Sequence, residues 1–196
     1  MLTTALYNTK LTRSHPPQHF DVSMSLPLWV VGGLMGRAAL ASAYECPGSP
    51  AFVHASCKVS VEAHAPCDDV RNEVLSRVKG QYLKWHDPHN NGTYTLTDTG
   101  ADGSLSLQRV TGNKKYTDKM RFVFADAKDG SCSVKACSES QVMSVADFST
   151  NYCNLRMLYC SKGDGCHPVN SNFEVAELEV SPSFGAGTNK ADCLKV

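Results

Sequence analysis

Cysteine is the residue type with the most chemistry to offer in this chain of 196 residues. There are nine: Cys46, Cys57, Cys67, Cys132, Cys137, Cys153, Cys160, Cys166 and Cys193. An odd number leaves one thiol unpaired or bridged to another chain. Cys57 is the expected spare, because Val53, Ala55, Cys57, Val59 and Val61 alternate onto one face, where a thiol behaves as a small buried hydrophobe. A nucleophilic role needs a depressed pKa and a neighbouring base. His54 falls on the opposite face and His64 lies beyond the strand. A second grouping is His86-Asp87-Pro88-His89, where His86 and His89 are weak zinc-ligand candidates and His64 is the nearest further imidazole. A polar surface loop is the stronger reading. Lys114, Lys115, Lys119 and Arg121, with Tyr116 among them, suit an anionic glycan, although such clusters are usually solvated hairpin faces. No serine lies in a Gly-x-Ser-x-Gly setting, and no glycine-rich phosphate loop follows a strand. The expectation is therefore a chain that is not an enzyme and needs no cofactor.

All nine cysteines follow residue 45, and the preceding segment reads differently. An apolar run from Leu26 to Gly36 is followed by Arg37 and then by the small-x-small site Ala41-Ser42-Ala43. The run is short for a bilayer span, which takes about 20 apolar residues. Residues 1–43 are expected to be a secretory signal, with Met24 as an alternative start, leaving residues 44–196 as a single secreted domain. The whole chain has 19 Lys+Arg and 19 Asp+Glu, so its net charge is zero. Removing Lys10, Arg13, Arg37 and Asp21 leaves 16 basic and 18 acidic residues, a net of −2. That balance argues against nucleic acid as a partner, and no second apolar run suggests stable membrane insertion. A cysteine-dense exported chain implies a disulfide framework. Asn91-Gly92-Thr93 is a glycosylation sequon.

The elements follow from periodicity. Residues 51–62 alternate as a strand. Pro66 opens a helix with Asp68 and Asp69 in its first turn and Lys79 and Lys84 near its end, an order that suits the helix dipole. Val70, Val74, Val78 and Trp85, flanked by Leu75 and Tyr82, form its apolar face, and Gly80 ends or bends it. Strands are expected at Thr93–Thr97, Ser104–Val110, Lys119–Phe124 and Cys132–Ala136, separated by Gly- and Asn-rich turns. Residues 138–171 read as an irregular segment stapled by cysteines. A last strand at Phe173–Val180 changes apolar phase after Val175, as a β-bulge produces. The fold class is thus α+β, with one amphipathic helix packed on an antiparallel sheet and stabilised by disulfides. Cys166 and Cys193, which bracket the last strand, are the one pairing the sequence suggests; the other pairings stay open.

Gln108-Arg109-Val110-Thr111-Gly112 lies where one strand turns into the next and fits the Gln-x-Val-x-Gly pattern of the cystatin family. Gly48 stands near the expected mature N-terminus, and Pro182 precedes Phe184 on a later segment, so the chain order resembles a cystatin wedge. Pro-Ser-Phe stands where that family has Pro-Trp, and the cysteine spacing is not that of secreted cystatins. The resemblance implies a binding surface built from Gly48, residues 108–112, Pro182 and Phe184, and a papain-like cysteine protease as partner. A carrier of a small apolar ligand, held under the helix by Val74, Val78, Phe122 and Phe124, is the alternative. A secreted enzyme using the histidines near residue 86 is a third.

Overall fold

The structure is a computed structural model, and it describes residues 44–195. The expected signal segment, residues 1–43, lies outside the described residues. Eight main elements follow in order: β1 (Ser56–Ala63), α1 (Cys67–Lys79), β2 (Thr93–Thr99), β3 (Leu105–Val110), β4 (Thr117–Asp126), β5 (Cys132–Ser140), α2 (Thr150–Tyr159) and β6 (Val175–Pro182). Three short 3-10 turns lie at His89–Asn91, Lys162–Asp164 and Lys190–Leu194. The six strands form one antiparallel sheet in the order β2-β3-β4-β5-β1-β6. Among the described residues, no helix is long and apolar enough to cross a membrane.

The α+β architecture agrees with the expectation, but two helices cover the sheet instead of one. In α1, Val70, Val74 and Val78 point inward as the periodicity implies. The helix stops at Gly80, whose N–H bonds the carbonyls of Ser76 and Arg77. Trp85 is still buried, from the loop beyond, whereas Tyr82 faces solvent. The second helix, α2, occupies the segment expected to be irregular. Every residue from Asn151 to Tyr159 is buried, so α2 has no polar face and leaves no amphipathic signature. Its polar side chains find partners inside the protein. Asn151 donates to the Ala55 carbonyl at 3.2 Å, Asn154 donates to Asp118 at 2.9 Å, and Arg156 pairs with Glu177 at 2.7 Å.

Four disulfides staple the fold: Cys46–Cys137, Cys67–Cys132, Cys153–Cys193 and Cys160–Cys166. The pairing Cys166–Cys193 is therefore incorrect. The helix carries Cys153 toward the C-terminal 3-10 turn and Cys193, while Cys160, at the helix end, closes a short loop with Cys166. Cys57 is the free cysteine and is fully buried in the core, as its place in the strand pattern requires. The bulge in β6 falls later than expected. Pairing with β1 jumps from Ser60–Glu179 to Val61–Glu177, which leaves Leu178 as the extra residue, turned to solvent.

The core lies between the two helices and the inner face of the sheet. Val59, Val61, Leu105, Leu107, Met120, Phe122 and Val134 from the strands meet Val70, Val74, Leu155 and Leu158 from the helices. Val74, Val78 and Phe122 are buried in this one cluster and Phe124 packs against it, so the space that an apolar ligand needs under α1 is filled. This packing gives the carrier reading no support.

Candidate functional site

Strand register determines which residues meet at each end of the sheet. Val110 pairs with Thr117, Asp118 with Ser140, Ser56 with Glu139, and Cys57 with Pro182. The β3–β4 hairpin, the end of β5, the start of β1 and the end of β6 therefore share one end. Gly48 is tied there too, donating its N–H to Glu139 Oε2 at 2.7 Å and accepting from Gln141 at 3.0 Å. Its φ of +83° is a backbone state that suits glycine. The structure thus brings Gly48, the hairpin, Pro182 and Phe184 to one end.

The hairpin itself is not free along its whole motif. Gln108 and Val110 are half-buried on the outer face of β3. Arg109 is fully buried, with its guanidinium on Asp87 at 2.7 Å and on the His89 carbonyl. Thr111 is buried. The Gly112 N–H donates to the Asn90 carbonyl at 2.8 Å. A Cβ at Gly112 would lie 2.7 Å from the Asn91 Cβ, so glycine is needed here for packing inside the chain. The exposed tip runs from Gly112 to Tyr116.

What surrounds this tip was not legible as a motif. Phe52, Val53, Tyr116, Met143, Val145, Phe148 and Phe184 all lie at this end, and they are seven of the eleven large apolar side chains exposed among the described residues. Their proximity is held by specific contacts. Ser144 N–H donates to the Val53 carbonyl, Gln141 N–H to the Thr117 carbonyl, and Ser183 N–H to the Ser56 carbonyl. A Cβ built on Gly185 would lie 3.0 Å from Val145. An apolar rim gathered on one end marks an interaction surface more often than single scattered side chains do.

Inside the rim, between the hairpin and the β5–α2 loop, lies a cleft of about 370 Å3. Tyr116, Met143 and Phe148 stand at its edge, and Asp118, Ser140, Asp147, Thr150 and Asn151 line it. Asp118 is only 2% exposed. Burial pushes its carboxyl above the usual aspartate range, partly opposed by the side chains of Asn154 and Ser140 and by the charge of Arg109. Asp147 accepts from the N–H groups of Ser149, Asn151 and Gly187, which fixes its carboxylate. At the edge of the same end, the hydrogen bond that His54 donates to Glu139 raises the His54 pKa, despite opposing desolvation.

The other candidates separate. His89 is buried, with Nδ1 at 2.9 Å from the Asp192 carbonyl and Nε2 at 3.2 Å from Thr150 Oγ1. His86 faces a different cleft, of about 630 Å3, beside Tyr82, Trp85 and His167. Asp87 turns inward to Arg109. The His-Asp-Pro-His run therefore sends its side chains three ways, and no group of three metal-ligating side chains converges among the described residues. Burial pushes the Cys57 thiol up to about 12, with the charges of Asp147 and Glu177 adding to it, so it is an unreactive thiol at neutral pH. The basic cluster divides too, since Lys114 and Lys115 sit at the hairpin tip while Lys119 and Arg121 lie on the outer face of β4. Asn91 is exposed in a turn, and the sequon hydroxyl of Thr93 lies 2.6 Å from the Tyr82 hydroxyl.

Comparison with known proteins yields no family model, no curated protein and no solved structure that matches this chain.

Proposed function

We propose that this chain is a secreted, disulfide-stapled binding module that works through the hairpin end, and that its partner is a papain-like cysteine protease. The observation that carries this reading is the concentration of exposed apolar side chains on the same end as Gly48, the β3–β4 hairpin, Pro182 and Phe184. A tip held by a six-stranded sheet enters a cleft with little ordering cost. The part of Gln108–Gly112 that reaches a partner is its glycine end, continued by Asn113 to Tyr116, while Arg109 and Thr111 hold the hairpin in place. The apolar rim supplies the contacts that Pro-Trp supplies in cystatins. The module binds and does not catalyse.

The experiment is inhibition of papain-like proteases by the mature, fully oxidised protein. Inhibition at micromolar concentration, lost when Tyr116 is changed to Ser, is the expected result. An intact protein that leaves these proteases fully active at that concentration refutes the protease assignment.

A further inference from the structure

The cleft beside the hairpin has a chemical character that the rim alone lacks. We propose that it is a receptor for a lysine side chain presented by the partner polypeptide, an inference that rests on the reading of this end as the binding surface. Asp118 lines the cleft and is 2% exposed, yet no cation pairs with it among the described residues. Its cross-strand neighbour Arg109 is engaged with Asp87 at 2.7 Å. Asn154 donates to Asp118 Oδ2 at 2.9 Å and so orients the carboxylate without neutralising it. The Ser140 side chain and the more distant Arg109 charge offset only part of the cost of burying this carboxylate, and a ligand that brings a cation into contact recovers more of it. Asp147, on the same wall, adds a second negative group that the backbone holds in place. His89 is no competitor as a donor to these acids, because its ring nitrogens face the Asp192 carbonyl and Thr150.

The walls select among cations. Tyr116, Met143 and Phe148 flank the mouth, and Met143 and Phe148 are mostly exposed. A lysine places a compact ammonium at the end of an apolar stem, so its head reaches the acids while its methylenes lie against these side chains. A guanidinium is broader and planar, and at Asp118 it would share Oδ2 with the Asn154 amide, whereas an ammonium is a compact point charge. Anions are repelled by the two acids, and a purely apolar group leaves Asp118 uncompensated.

The test is NMR titration of the full mature protein with Nα-acetyl-lysine methylamide, its neutral counterpart Nα-acetyl-norleucine methylamide, and n-butylammonium. The expected result is saturable shifts at the amides of Ser140, Asp147 and Asn151 with the lysine probe, in the millimolar range ordinary for so small a ligand, and none with norleucine. Asp118→Asn weakens lysine binding about tenfold or more. That variant removes a buried charge, so its fold survives and its unfolding curve is the check. Equal shifts with norleucine, or unchanged binding in Asp118→Asn, overturn the proposal. Saturation by butylammonium without binding of the lysine probe also overturns it, in favour of a small free amine. These probes need no protease. Loss of protease inhibition alone therefore strikes the function proposed above, and loss of lysine binding alone strikes this cleft.

Discussion

Glu73 and Asp118 are both carboxylates buried under the same sheet, in surroundings that differ in every other respect. Glu73, on α1, accepts from Arg77 at 2.7 Å and from the N–H groups of Val169, Asn170 and Ser171. Arg77 in turn donates to the carbonyls of Met157 and Cys160. Burial alone would raise the Glu73 pKa, but the bond from Arg77 and the three backbone donors outweigh it and leave it below the usual range. Asp118 has the side chains of Asn154 and Ser140 and the more distant charge of Arg109, with no cation in salt-bridge contact, and burial wins. The first carboxylate joins α1, α2 and the 169–171 loop into one body. The second opens onto a cleft ringed by apolar side chains. A closed polar network ties elements of this fold together, and the less complete one is where we propose that a partner docks.

The largest expected effect lies in the closed network. Glu73→Ala strands the Arg77 guanidinium and three backbone donors, and should cost about 3–5 kcal/mol in denaturant unfolding. A loss near that of an ordinary surface substitution would make the two carboxylates alike. Next comes the staple between α2 and the C-terminal 3-10 turn. Replacing Cys153 and Cys193 together with Ser should cost roughly 2–4 kcal/mol. Thiol titration of the parent mature protein should find no reactive thiol when folded and one, Cys57, when unfolded. Two fast-reacting thiols in the folded state would contradict the pairing.

The pH dependence separates the two acids by sign. Glu73 is depressed in the native state, so its stabilisation is complete above the unfolded glutamate pKa and is lost as pH falls through the native value. Asp118 is raised, so between the unfolded and native values the native state keeps a proton that the unfolded chain has lost. Its contribution to stability therefore falls as pH rises across that window. Asp118→Asn should remove this slope and leave stability at neutral pH equal to or above that of the parent. A marked loss of stability would show Asp118 to be part of the closed network. The smallest effect on folding belongs to the rim, where Phe184→Ser should change stability by less than about 0.5 kcal/mol.

The sequence exposed these features unevenly, and for physical reasons. The strands and α1 were legible because each has one wet and one dry face. The second helix was not, because a helix buried all round has no period to read and its Asn and Arg resemble loop residues. Cys57 was legible from its strand phase, whereas the bridge from Cys193 depends on where α2 points Cys153. Asp118 and Arg109 did leave a signal: Asp118 is in phase with Met120 and Phe122, and Arg109 with Leu105 and Leu107. A charge on the dry face of a strand must be paired or used. The apolar rim left none, since it gathers side chains from four separate segments that only the sheet register brings together.

The most direct test compares the two regions by binding. Inhibition of a papain-like protease is measured for the parent, for Phe148→Ser with Phe184→Ser at the rim, and for Leu83→Ser, which is 90% exposed in the other large cleft. The expected result is a loss of about tenfold or more for the rim pair, with unchanged unfolding and parental inhibition by Leu83→Ser. Equal inhibition by the parent and the rim pair, or a loss confined to Leu83→Ser, would contradict the assignment of the hairpin end as the working surface.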